Sequence, residues 1–362
     1  MTSDSASLPE GHGHEAVLLA EILEELGPQA GESAIDLTVG RGGHAVAIAQ
    51  RLGPTGTLVV VDRDRGNLEH AGNRLAEAFG GDPPSIERIE TVDAAHLGEA
   101  APIGRGPRIV LLHGNFAIAP QALVRCRLPV DLVLADLGVA STHLDEAERG
   151  FSFRFDGPLD MRLDPTRGPT AAELVATLPE AELAQAIRLL GEEPLARRIA
   201  RKIAQRREAT PITTTFEMAD VVKDAYGPRA RHSRMHPATK TFMALRIAVN
   251  DELGALEALL AEIRGTAERM AVDLTDGVDL AWLRRGARIA IVSFHSLEDR
   301  LVKRAFAGIA RDGLGRVETP RPTIADDAER ARNPRARSAK LRVATVGDSA
   351  HRRTARTATH DP

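Results

Sequence analysis

The stretch from Ala34 to His44, AIDLTVGRGGH, limits what this chain can fold into more than any other. Ala34 to Thr38 reads as a buried strand, glycines follow at Gly40, Gly42 and Gly43, and an amphipathic helix starts near Ala45. Glycine has no Cβ, so the turn can take positive φ and a ligand can approach the backbone. A second strand, Thr57 to Val61, ends in Asp62. An acid about 20 residues past such a turn is placed to take a ribose hydroxyl pair. These features describe half of a nucleotide-binding α/β fold with its ligand at the carboxyl ends of the strands. The pattern is G-x-G-G-H rather than the G-x-G-x-x-G that seats a pyrophosphate. That suits an adenosyl ligand without phosphates, and a purely structural turn stays open at this point.

The chain has 362 residues, enough for about two domains. No run of 18 apolar residues occurs, so no transmembrane helix and no membrane partner are expected. Residues Met1 to Gly13 lack the basic and apolar regions of a secretory signal and read as a disordered tail. His12 and His14 have no neighbouring ligands, so no metal is expected. The lone Cys126 excludes an intramolecular disulfide and fits a reducing cytoplasm. A net charge of −4 does not suggest a nucleic-acid binder, so contact with RNA or DNA must use local basic patches.

Further along, His14 to Leu26 and Asn67 to Phe79 read as helices. Ser85 to Val92 and Ile109 to His113 both read as strands; Ile109 to Leu112 is taken for the core and the other for an insertion. Phe116 follows where a ligand would sit and is either a core residue or an adenine-stacking ring. Val130 to Leu137 is a continuous apolar run of the kind found in parallel sheets, with Asp136 at its end. A buried carboxylate needs a partner, either a backbone amide or a ligand amine.

From Gly138 to His236 helical patterns run without a strand: 171–176, 180–190, 193–207 and 216–225, with Thr170 and Thr215 as N-caps. The expected organisation is a sheet domain over 14–142, an all-helical insertion over 143–236, the rest of the sheet domain over 237–346, and a basic disordered tail over 347–362. The segment LARRIARKIAQRR has one apolar stripe, with Arg201 and Lys202 among the cations on its other faces. It reads either as a solvated face or as a surface for phosphates. A second basic stretch includes Lys240 and Arg246. Pro237 to Ile263 is expected to be one long helix. A strand over 287–294 leads into a helix over 297–310; Ser293 and His295 can both face the crevice, and Ser296 with Asp299 makes a capping box. Arg311 to Asn333 reads as a loop and Ser338 to Val346 as a last strand.

GFSFRFDGPLDMRLDP, HPATKTFMALRIAVNDEL, SFHSLEDRLVKRAF and NPRARSAKLRVA resemble signatures of the bacterial small-subunit ribosomal RNA methyltransferase H family, in order from about His14 to Ala344. The resemblance implies a Rossmann-like S-adenosylmethionine-dependent methyltransferase sheet with an inserted all-helical domain. It implies methylation of N4 of a cytidine in the decoding region of 16S rRNA within the small subunit. It places cofactor contacts on Gly42, Gly43, His44, Asp62, Phe116, Asp136 and His143, where the family usually has glutamine at the last; Gly40 joins them from the turn. The chain departs from the family at Leu37, Ala140, Lys240, Met243 and Arg285, and lysine cannot reproduce an arginine fork. Arg335 and Arg337 join Arg201, Lys202, Lys240 and Arg246 as candidate RNA contacts.

For transfer to a cytosine amine, Asp136, Ser293 and His295 are the candidate catalytic residues, as acceptors of N4–H or relays of its proton. A nicotinamide oxidoreductase would need the third glycine. A Ser293–His295–Asp299 hydrolase would need side chains converging from separate elements. A family member that binds without catalysis, or methylates another RNA, is the alternative. The sequence leaves a homodimer open.

Overall fold

The computed structural model describes residues 16–80, 84–90, 106–232, 235–272 and 281–347. The sheet is built from β1 (Ser33–Asp36), β2 (Thr57–Asp62), β3 (Ile86–Glu90), β4 (Arg108–His113), β5 (Val130–Asp136), β6 (Leu283–Ser293), β7 (Gly315–Val317) and β8 (Lys340–Val346). Its order is β3-β4-β2-β1-β5-β6-β8-β7. The six strands from β3 to β6 in that order pair in parallel, and β8 and β7 close the edge antiparallel. The strand order reverses between β1 and β5, which opens a crevice at their carboxyl ends.

The continuous apolar runs follow from burial on both faces. Ile35, Val59, Val61, Val133 and Ile291 face one core, completed by α4 (Ala119–Arg125), α11 (Glu252–Val272) and α12 (Ser296–Arg311). Ala34, Leu58, Val60, Leu132, Leu134 and Val292 face the other, completed by α1 (Leu19–Leu26), α2 (Gly43–Leu52) and α3 (Arg65–Glu77). A third core lies among α6 (Ala171–Thr177), α7 (Glu180–Gly191), α8 (Ala196–Ala209) and α9 (Thr215–Tyr226). It also takes Ala238, Phe242 and Leu245 of α10 (Ala238–Asn250). The short helix α5 (Ser141–Asp145) leads into this region, and α13 (Asp327–Arg332) precedes β8.

Four sequence expectations are corrected. β3 is not part of an insertion but the parallel edge strand beside β4. The expected single helix over 237–263 is two helices, α10 and α11, divided at Asp251 with φ 49°. The cap of α9 is Thr214, whose side chain accepts from the Glu217 amide, and not Thr215. The 311–333 region holds β7 and α13 as well as loop. The predicted tail over 1–13 and, apart from Gly347, that over 347–362 lie outside the described residues, as does His14.

Candidate active site

The crevice rim carries Asp36, Asp62 and Asp136 at the ends of β1, β2 and β5, with Ser293 at the end of β6. Asp36 is buried, and its Oδ1 accepts from the Thr38 amide at 3.1 Å. Burial pushes its carboxyl up to about 7; His44 and the Thr38 amide pull it down, while Asp136 and Asp62 add to the rise. The glycine turn follows, with φ 49° at Gly40 and 76° at Gly42. A Cβ on Gly42 would stand 3.3 Å from Ala71 of α3, and one on Gly43 would stand 2.9 Å from Cβ of Ala16. These two glycines therefore serve packing between elements. At Gly40 a Cβ would meet only the Thr38 carbonyl, at 3.9 Å, so the open backbone of the turn is there.

His44 lies in the first turn of α2, with Nε2 2.9 Å from the Val17 carbonyl. A carbonyl only accepts, so Nε2 carries the hydrogen. Nδ1 then presents its lone pair 3.8 Å from Asp136 Oδ2. Burial lowers the pKa of this ring, which favours the neutral imidazole.

Asp62 accepts from the Gly40 amide at 2.9 Å and the Asp64 amide at 2.8 Å. The glycine turn and the loop after β2 are thus both hung on the expected ribose acid. Burial raises its pKa despite those amides. Phe116 starts a single helical turn capped by Asn115 and packs, partly buried, against the sheet core.

The amide of Asp136 donates to Thr38 Oγ1 at 2.6 Å. Its Oδ1 is buried without a hydrogen-bond partner among the described residues. Burial pushes this carboxyl up to about 7, with Arg335 pulling it down and Glu298 adding to the rise. On the next strand, Ser293 Oγ is equally buried and unpartnered. Orphaned buried polar groups are rare, and here two stand on neighbouring strand ends.

Several candidates are tied elsewhere. The cap of α12 is His295, not Ser296. Its Nδ1 accepts from the Glu298 amide at 3.4 Å, and Glu298 returns to the amides of Phe294 and His295 at 2.9 and 3.3 Å. Nε2 of His295 lies 3.2 Å from Glu298 Oε1 and, like Asp136 Oδ1 and Ser293 Oγ, is buried with no hydrogen-bond partner among the described residues. With Nδ1 accepting, a neutral ring carries its hydrogen on Nε2, so neither nitrogen is a free acceptor for a substrate proton. Burial alone would raise Glu298, but His295, the Phe294 amide and Arg246 hold it below the usual range. Asp299 is no cap either; it pairs with Arg342 at 2.7 Å and Lys340 at 3.3 Å. His143 does not stand free at the cofactor position. It is 3% exposed, its Nε2 is 2.8 Å from Asp64 Oδ2, and its ring stacks on Phe151.

Of the basic residues, Arg246 is a correction: its guanidinium forks onto Glu252 at 2.8 and 2.7 Å and is not offered to phosphate. Glu252, His295 and Glu298 bring ligand-type atoms within 4.8 Å of one another, and Arg246 offsets part of the charge by pairing with Glu252. Arg335 is partly buried and turned toward Asp136 and Asp145. Lys240 Nζ donates to the Glu192 carbonyl at 2.9 Å. Arg201 is largely exposed with a loose contact to Glu180 at 3.8 Å, and Lys202 and Arg337 are exposed. Arg207, from the same basic helix, caps the end of α6 through the Val175 and Leu178 carbonyls.

Sequence reasoning missed three residues that build the site. Thr38 joins β1 to β5. Asp64 caps α3 through the Gly66 amide and binds His143 and Arg149, tying the rim to the segment after β5. Asn250, the last residue of α10, donates to the Met161 carbonyl and accepts from the Leu163 amide, at 2.7 and 2.8 Å. It thereby pins the DMRLDP segment, where Met161 has φ 64°. The Asn250–Asp251 pair inside a helical pattern was the available signal, since both residues tolerate left-handed backbone.

The sequence has relatives among known proteins. Ribosomal RNA small subunit methyltransferase H from Synechococcus sp. is 44% identical over 338 residues, covering 91% of either chain. The protein of that name from Geotalea uraniireducens is 40% identical, covering 91% of this chain and 97% of its own. That from Acidobacterium capsulatum is 42% identical, covering 92% and 99%. A solved putative rRNA-methylase from Clostridium thermocellum has a TM-score of 0.35 at 11% identity over 91% of this chain and 94% of its own, too distant to add to the fold described above. The model of the MraW methylase family matches residues 11–346. This chain belongs to the MraW methylase family.

Proposed function

We propose that this protein methylates the exocyclic N4 of a cytidine in the decoding region of 16S ribosomal RNA, with S-adenosylmethionine as donor. The observation that carries the reading is Asp136 Oδ1, a buried carboxylate oxygen without a partner among the described residues, at the reversal point of the sheet. The relatives' name, ribosomal RNA small subunit methyltransferase H, supports the substrate class. The residues present fit the donor: open backbone at Gly40, the acid Asp62 at the end of β2 and the ring of Phe116 beyond β4 would hold it. His44, Gly42 and Gly43 shape the turn beside them. Bound there, S-adenosylmethionine supplies an electrophilic methyl group on a sulfonium.

The protein's own part is alignment and charge. Cytosine N4 is a weak nucleophile because its lone pair is delocalised into the ring. Asp136 Oδ1 accepts one N4–H, which localises the lone pair and stabilises the positive charge that develops on nitrogen. With its pKa near 7, the same carboxylate takes the proton that N4 releases. Ser293 Oγ, unpartnered on the next strand, supplies a second polar contact to the base. His295 shapes this wall by capping α12.

The target base flips out of folded RNA to reach this depth. Arg201, Lys202, Lys240 and Arg337 hold the backbone, so binding weakens steeply with salt. No helix among the described residues is long and apolar enough to cross a membrane. Our reading places the protein with small ribosomal subunits in the cytoplasm. Nucleoside mass spectrometry of rRNA from a deletion strain and its parent tests it: N4-methylcytidine disappears with the gene. An unchanged level rejects the reading in favour of a family member that binds without this activity or methylates another RNA.

A further inference from the structure

Beyond the end of β6 the chain lines a second cleft, of about 350 Å³, next to the Asp136 crevice. Phe294, Ile324, Arg330, Arg337, Ser338 and Lys340 contribute to its walls, and none of its lining residues is acidic. The two spaces share a wall. Phe294 follows Ser293 directly, and its ring lies 3.6 Å from where a Cβ on Gly138 would stand, two residues past Asp136. We propose that this cleft receives a nucleotide adjacent to the flipped target, its base against Phe294 and Ile324 and its phosphate on Arg337, Arg330 and Lys340.

The charges favour a phosphate over any neutral occupant. Arg337 is exposed and has no ion-pair or hydrogen-bond partner among the described residues. Among the described residues the Arg330 side chain is held only by Asp327, at 3.2 Å, and that carboxylate is fully exposed. Lys340 shares Asp299 with Arg342. The Arg330–Asp327 pair is exposed, and exposed ion pairs are weak and exchange readily for a phosphate. The apolar side fits a base: Phe294 and Ile324 line the cleft together, and Ile324 is 53% exposed. A cation row facing an aromatic ring is the arrangement that holds single-stranded nucleic acid. The size lies within the range of ligand pockets.

The proposal rests on the RNA reading above, and its test separates the two. The full-length protein, fluorescently labelled, is titrated with small ribosomal subunits from the deletion strain at several salt concentrations. Arg337→Ala should weaken binding about tenfold and reduce the slope of log affinity against log salt by about one. Phe294→Leu should weaken it about tenfold by removing the ring while keeping an apolar side chain. Unchanged S-adenosylmethionine affinity in both variants shows that the sheet domain is intact. If both variants bind as the wild type does, the cleft holds no nucleotide and the proposal is wrong. Binding needs no methyl transfer, so weakened binding by these variants together with a wild-type protein that forms no N4-methylcytidine overturns the proposed activity and leaves the cleft standing.

Discussion

The amide of Asp136 donates to Oγ1 of Thr38 at 2.6 Å, fastening the end of β5 to the turn that follows β1. Thr38 also donates its amide to Asp36, so one residue sets the spacing of two rim carboxylates. Thr38→Val keeps the shape and removes the hydroxyl. It should destabilise the protein by about 1 kcal/mol in urea unfolding. Single-turnover methylation should fall by roughly tenfold, the size that lost alignment of reacting groups can reach. Wild-type turnover in this variant removes Thr38 from the positioning of Asp136.

Burial pushes the Asp136 carboxyl up to about 7, and in the proposed mechanism only its ionised form accepts a proton from N4. Single-turnover methylation should therefore rise between about pH 6 and 8 and then level off. Asp136→Asn should cut the rate by at least about a hundredfold and abolish that rise. A variant with the wild-type rate and profile would exclude the carboxylate from the chemistry.

Asp36 should leave its mark on stability. Burial keeps its proton on in the folded state up to about 7, whereas its ordinary value is 3.8. Between those values the folded chain binds more protons than the unfolded one. This contribution is complete below the ordinary value and is lost as pH rises through the window, by roughly 1 kcal/mol per pH unit. Asp136 adds a slope of the same sign. Asp36→Asn should flatten the decline in urea midpoint and be the more stable protein at neutral pH.

Asp64 works in the opposite direction. Burial alone would raise it, but His143 and Arg149 hold it well below the usual carboxylate range. Its stabilising contribution is present above the ordinary value and lost as pH falls through and below it. Asn caps a helix as well as Asp does. Asp64→Asn should thus keep α3 while leaving Arg149 without its charge partner, destabilising the protein by about 3 kcal/mol at neutral pH. A loss below a few tenths would show that the joint contributes little.

The two readings of His295 predict different rankings. As a cap it can be replaced by Asn with little loss of stability or turnover, whereas His295→Ala costs about 1 kcal/mol. As a proton relay it would lose most activity in both variants. Comparing thermal stability and single-turnover rates across the pair decides between them.

Strand and helix positions were legible because burial on both faces leaves a direct imprint. Leu58 to Val61 and Leu132 to Leu134 can be unbroken only where both sides of the sheet are covered. The glycine turn, Asp62 and the crevice at the strand ends could be read for the same local reason. What a polar side chain does with its hydrogen bonds could not. Asp136 meets Thr38 across 98 positions, His143 meets Asp64 across 79, and Arg246 folds back onto Glu252 around the unforeseen break at Asp251. Chain order fixed the sheet and the family; only the folded contacts decided that His295 caps α12, His143 binds Asp64 and Arg246 pairs with Glu252, while Asp136 Oδ1 and Ser293 Oγ have no partner among the described residues. A side chain's vacant lone pair is a property of everything packed around it, and those neighbours come from distant parts of the chain.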